Sequence, residues 1–241
     1  MFELSICVDN INDKIYEKYS HYLHNSIRNN GGIFSCLNLG GSKYFLVASK
    51  VNELKVKSIC EDSICGIILD GFKADYIKKN LSYHTLDTVK YETLISAMVN
   101  FDRNTDNRII LSALKGRRKE INIYSLFKFK LAILIDKWRQ LVEIANANSV
   151  YLGFDETYLD ILKFLVDGIE IGEELRVVKS GDGYTIFDAN NNILTYDDLS
   201  SDSDMLASIV AHNPIRVTVS GLDENATVFL QSIFEERMRI K

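Results

Sequence analysis

The chain has 241 residues, 46% apolar and 25% charged, with a formal net charge of −5, a globular composition with enough apolar material for a sizeable core. Its most hydrophobic stretch, LFKFKLAILIDKW, is interrupted by Lys128, Lys130 and Asp136, which excludes a membrane-spanning helix there. The four cysteines, Cys7, Cys36, Cys60 and Cys65, form no CxxC and are too few and scattered for a disulfide scaffold, so buried or half-buried free thiols are expected.

The opening MFELSICVDNINDK has no basic segment ahead of an apolar one and carries Glu3, Asp9 and Asp13 early, which points to a soluble, cytoplasmic protein. FELSICV alternates with period two, the pattern of a half-buried strand. Asp9 or Asn10 is placed to cap a helix reaching Asn29, with Ile11, Ile15, Tyr19, Tyr22, Leu23 and Ile27 as its apolar stripe and Gly31-Gly32 as its stop. GIFSCLNL and KYFLVAS read as two strands of a hairpin turning at Gly40-Gly41-Ser42. Residues 1–50 thus form a β-α-β-β element.

Residues 51–170 have helical spacing. Leu54, Ile59, Ile64, Ile68, Phe72, Tyr76 and Ile77 suit one long helix, although ICGIILDG also reads as a strand; Gly66 and Gly71 weaken the helix by about 1 kcal/mol each relative to alanine. TLDTVKYETLISAMVNF and NRIILSALKG are shorter helices, the second with Thr105 or Asp106 as its cap. A central helix over 123–147 follows. At 100° per residue, one stripe takes in Phe127, Leu131, Leu134, Ile135, Trp138, Leu141, Val142 and Ala145, and Leu126, Phe129 and Ile133 form a second. Lys128 and Arg139 lie on one side between the stripes, and Lys130 and Lys137 on the other. A membrane-surface helix needs one wet basic face opposite one apolar face, so this pattern indicates a helix packed on two sides, with Trp138 and Phe127 as core anchors. ETYLDILKFLVDG is a further helix.

Residues 171–241 return to mixed structure. LRVVKS and YTIFD form a hairpin across GDG, DANNN is a tight turn before ILTY, MLASIVAHN is a helix, PIRVTVSG a strand, NATVFLQSIFEE a helix and RMRIK a last strand. The fold class is therefore α+β: a small N-terminal mixed element, a helical middle and a small C-terminal α/β element.

Familiar catalytic and metal signatures are missing. His21 and His24 lack a third ligand in the pattern zinc requires. DANNNILTYDDL places Asp188, Asn190 and Asn192 as in a calcium loop, but Ile193 stands where the loop needs glycine and Leu199 where it needs glutamate. Neither Gly40-Gly41-Ser42 nor Gly181-Asp182-Gly183 completes a phosphate loop, and there is no GxSxG. Cys36 with His84 would be an arbitrary pairing, and DDLSSDSD reads as capping carboxylates rather than an acid-base pair. No cofactor is implied. Charge is uneven along the chain: net −1 over 1–102, +7 over 103–139 and −11 over 140–241. The basic connection Lys115, Arg117, Arg118 and Lys119 is the candidate anion-binding site, for nucleic acid or another polyanion.

INIYSLFKFKLAILIDKW followed by ETYLDILKFLVDG resembles the YtxC family of sporulation proteins. The family pattern opens Ile-Asn-Ile-Asp-Gly-Phe, then after two residues has Phe, Arg and Leu, then a long helix and a closing aromatic-aliphatic block. Ile121, Asn122, Ile123, Phe129, Lys130 and Leu131 fit its first part, and Tyr158, Leu159, Ile161, Leu162, Phe164, Leu165 and Val166 its second. Tyr124-Ser125 replaces Asp-Gly, and Leu126 replaces the phenylalanine. The resemblance covers residues 51–241. It implies a soluble, sporulation-associated protein of an endospore-forming bacterium and carries over no catalytic residues. With no catalytic constellation either, the expected role is a non-enzymatic interaction or structural protein with a protein partner.

Overall fold

In chain order the computed structural model has β1 (Phe2–Cys7), α1 (Asp13–Asn29), β2 (Ile33–Leu39), β3 (Ser42–Ser49), α2 (Glu53–Gly66), a π-helical segment (Ile67–Lys73), α3 (Ala74–Asn80), α4 (Thr88–Asn100) and α5 (Arg103–Leu114). Then come β4 (Glu120–Asn122), α6 (Ile123–Lys130), α7 (Ala132–Ala147), α8 (Asp155–Asp167), β5 (Leu175–Ser180), β6 (Gly183–Phe187), α9 (Asp202–His212), β7 (Val217–Ser220), α10 (Glu224–Phe234), a 3-10 turn (Glu235–Arg237) and β8 (Met238–Ile240). It describes residues 1–82, 86–116, 119–147, 155–181, 183–194 and 199–241. The chain is α+β, with two four-stranded sheets among the described residues. It divides into two compact units, residues 1–79 with 104–140, and residues 80–103 with 141–241.

In the first unit the strand order is β2-β3-β1-β4, antiparallel except for the parallel β1–β4 pair. Ile6, Phe45, Val47 and Phe34 turn one side of this sheet toward Tyr19, Leu23 and Ile27 of α1, and the same core continues through Ile64, Ile68, Ile110, Leu126, Leu134 and Trp138. The Gly40-Gly41 turn has φ of 60° and 86°, the mirror-type turn that matches strand twist and that glycine adopts without strain.

The N-cap of α1 is Asn12, whose side chain accepts from the Ile15 N–H at 2.9 Å, rather than Asp9 or Asn10. Asp9 is taken up elsewhere: it accepts from the Cys7 thiol at 3.0 Å, from the Ser42 hydroxyl at 3.1 Å and from the Lys43 N–H at 3.1 Å, tying the end of β1 to the start of β3. These donors, the Cys7 thiol first, hold the Asp9 carboxyl below its ordinary value of 3.8. Lys119 does the same to Glu3, and Lys43 to Asp13. A carboxyl depressed on folding adds stability above its unfolded pKa and loses it as pH falls through the lower folded value. The urea midpoint of the N-terminal unit should therefore fall on acidification below about pH 4, and Asp9→Asn should flatten that fall.

The stretch 64–71 is helical, not a strand. Its central part is a π-helix, the i→i+5 form in which one residue is accommodated as a bulge. Gly66 is required just before it: a Cβ there would lie 1.9 Å from the Tyr19 hydroxyl, which donates to Asp70 at 2.8 Å.

Three expectations for the middle are corrected. Asp106 does not cap α5, which starts at Arg103; it lies within the helix and is buried. The helix expected over 123–147 is broken at Leu131 into α6 and α7, and a short strand, β4, precedes it. Of the second stripe only Leu126 is buried, while Phe129, on the same helix α6, and Ile133, beyond the break, are exposed. Trp138 is a core anchor as expected, stacked on a half-buried Phe127 at 5.6 Å.

In the second unit the order is β6-β5-β7-β8, with β5, β7 and β8 parallel and β6 closing the β5–β6 hairpin. Val177, Ile186, Val217 and Val219 are buried, as are Leu206, Ile209 and Val210 of α9. Ser201 caps α9 and Asp223 caps α10. Asp188 accepts from the N–H groups of Asn190 and Asn192, so DANNN is a hydrogen-bonded turn.

Candidate functional site

A buried charge cluster lies in the first unit. Lys73 donates to Asp106 at 2.9 Å, Lys137 donates to its other oxygen at 2.8 Å, and the Trp138 indole N–H donates at 3.0 Å. Lys73 and Asp106 are each 1% exposed. No substrate reaches groups so enclosed, and the cluster joins the π-helical segment, α5 and α7 as a structural tie. Two of the thiols are disfavoured as thiolates: burial pushes Cys60 up to about 12 and raises Cys7. Cys7, Cys60 and Cys65 are buried free thiols, and Cys36 is exposed where a buried or half-buried one is expected.

In the second unit, the carboxyl ends of parallel strands are where α/β sheets usually bind ligands. Here the Tyr184 hydroxyl donates to Asp202, and Asp223 accepts from the Ala226 N–H at 2.8 Å. Tyr184 is raised by burial and by Asp202, and Asp223 is lowered chiefly by that backbone donor. Both carboxylates are occupied by helix termini and a phenol. Among the described residues no three His, Cys, Asp or Glu side chains converge as metal ligands. Of DDLSSDSD, Asp202 and Asp204 open α9 and Ser201 caps it, while Asp197 and Asp198 lie outside the described residues, as does His84.

The basic connection is split. Lys115 is exposed in the turn after α5, and Lys119 is held by Glu3 of β1 at 2.5 Å. Arg117 and Arg118 lie outside the described residues.

The open feature is the outer side of the N-terminal sheet. Strand alternation sends Phe34 and Cys36 of β2 toward α1 and leaves Ile33, Leu37 and Leu39 outward, 71%, 42% and 64% exposed. Register sets Ile33 beside Ala48, Ser35 beside Leu46 and Leu37 beside Tyr44 of β3. The result is an apolar strip crossing two strands, with a shallow groove lined by Glu3, Ser5, Ile33, Ser35, Leu46 and Ala48 and a rim formed by the Glu3–Lys119 ion pair. An antiparallel sheet exposed on one side normally alternates apolar-in with polar-out, and a contiguous apolar outer strip marks an interaction surface. This face is not among the sites expected from the sequence. The signal was present in IFSCLNL, an uncharged segment whose outward positions include isoleucine and two leucines.

Among the described residues no helix is long and apolar enough to cross a membrane. No protein-family model, curated protein or solved structure matches the chain.

Proposed function

We propose that the protein is a non-enzymatic interaction protein of the sporulating cell's cytoplasm, and that the outer face of its N-terminal sheet receives an apolar surface of a partner protein. The observation that carries this reading is the strip of Ile33, Leu37 and Leu39, exposed beside half-buried Leu46 and Ala48, on a sheet whose other side carries the core through Ile6, Phe45 and Val47. The groove is apolar at its centre and charged at its rim, the anatomy of a protein interface. Aliphatic side chains from Ile33, Leu46 and Ala48 make up its centre, and the Glu3 carboxylate at its rim is paired with Lys119. The sporulation setting is supported by the likeness of 121–131 and 158–166 to the YtxC pattern.

The test is the paired substitution Leu46→Glu and Ala48→Glu in an endospore-forming host carrying this gene. Both side chains point outward, so the variant should fold and accumulate as the wild type does. Heat-resistant spore yield should fall to that of the deletion strain. Wild-type yield at wild-type protein level would remove the outer face from the function.

A further inference from the structure

We propose that the protein forms a two-fold symmetric dimer through the free edge of β2, joining two N-terminal sheets into one eight-stranded sheet. This uses the edge of the strand and the flank of α1, so it stands whether or not the outer face receives a partner.

Backbone geometry comes first. In the two-residue hairpin at Gly40-Gly41, the flanking pair Leu39 and Ser42 exchanges hydrogen bonds, so residues 33, 35, 37 and 39 direct their backbone groups at β3. The Lys43 carbonyl correspondingly accepts from the Val8 N–H, on the β1 side. Phe34, Cys36 and Asn38 therefore direct their N–H and C=O groups away from the sheet. Seven residues of uncharged edge with no proline or bulge is an arrangement that proteins avoid unless the edge is paired. Antiparallel pairing with a second β2 satisfies the most groups when the axis passes through Cys36. Phe34 then meets Asn38 of the second copy, Cys36 meets Cys36, and about six backbone hydrogen bonds form. The same register sets Ile33 opposite Leu39 on the outer face, an apolar cross-strand pair made twice.

The helix supplies an independent check. Ser20 of α1 touches Cys36 at 3.2 Å, and His24 packs edge-on against Phe34. The side of α1 toward the β2 edge lies about 60° to 140° from Leu23 and carries Ser20, Asp13, His24, Glu17 and Arg28. Acidic groups thus occupy the first half of this flank and basic ones the second. The Cys36 axis runs the two α1 helices antiparallel with their midpoint between Ser20 and His21. Asp13 then faces Arg28 of the second copy, and Glu17 faces His24. Asp13 holds Lys43 yet remains 84% exposed, leaving carboxylate for this contact. Tyr16 stacks on Phe45 of β3 while Ser20 touches β2, so α1 lies over the space between these strands. With strands about 4.8 Å apart, the two helices sit about 10 Å apart, a normal packing distance. The strand and the helix choose the same axis from different chemistry.

The full chain, examined by sedimentation equilibrium at micromolar concentration, should have twice the 27.5 kDa monomer mass. Mild oxidation should link two copies through Cys36, since Cα atoms of a directly opposed pair lie about 5.5 Å apart, within disulfide reach; Cys36→Ser should abolish the link. Glu17→Arg should weaken the dimer at least about tenfold by facing a basic helix end, and adding His24→Glu should restore it. Asn38→Pro, which removes an edge N–H and no bond to β3, should also weaken it. If Asn38→Pro does not fold, the Glu17/His24 exchange carries the test alone. A monomer at 100 µM, a dimer indifferent to the charge exchange, or no Cys36 link in a dimer would each overturn the proposal.

Discussion

Asp106→Ala should lower the unfolding free energy by about 3–5 kcal/mol, the cost of removing one partner from a buried ion pair. Three donors converge on this carboxylate: Lys73, Lys137 and the Trp138 indole. Lys137 is 30% exposed and can turn its ammonium to water, but Lys73, at 1%, cannot. The substitution leaves that ammonium enclosed without its carboxylate and the indole without its acceptor. Replacing Lys73 by methionine together with Asp106→Leu removes both charges and fills the space with apolar atoms. The double variant should recover much of the loss, because the pair repays little more than its own desolvation. Urea unfolding of the single and double variants decides: if the double is as unstable as Asp106→Ala, the cluster does more than balance charge.

Asn213→Ala should cost about 3 kcal/mol in the second unit, from carbonyls left without a donor and a left-handed backbone without its favoured residue. The Asn213 side chain is buried and donates to the carbonyls of Val166 at 3.0 Å and Ile169 at 2.8 Å, while its oxygen accepts from Arg237 at 2.9 Å. Its φ is 39°, which asparagine tolerates and alanine does not. Asn213→Gly separates the two causes: it keeps the backbone and loses the bonds, so it should be about 1 kcal/mol more stable than Asn213→Ala. Equal unfolding midpoints for glycine and alanine would mean that backbone strain plays no part.

Local patterns in the sequence revealed much of the fold. Alternation marked β1, the Gly-Gly turn marked the β2–β3 hairpin, and the C-terminal order hairpin, helix, strand, helix, strand is observed. What escaped depends on contacts distant in sequence. Asp106 looked like a helix cap because Asp often is one; only the approach of Lys73, 33 residues away, makes it an interior charge. Asp9 stood one turn too early and was drawn to Ser42 and Lys43 instead of α1. The break at Leu131 has no glycine or proline to announce it, and the π-helical segment has no sequence code of its own.

The site was less legible than the fold. Clustered charge drew attention to Lys115, Arg117, Arg118 and Lys119, yet Lys119 is engaged by Glu3, a partner 116 residues away. The outer strip was hidden for the opposite reason. Ile33, Leu37 and Leu39 look like ordinary strand residues until the sheet shows which side the helices cover.

The most direct measurement is a comparative affinity capture from sporulating cells, with wild type, the Leu46→Glu/Ala48→Glu variant, and a variant with Lys115, Arg117, Arg118 and Lys119 neutralised. A protein partner should be retained by the wild type and by the neutralised variant and lost by the outer-face variant, and the purified pair should reproduce this pattern. Capture that survives the outer-face change but disappears on neutralising the four basic residues, or on nuclease treatment, would contradict the account and assign the function to polyanion binding.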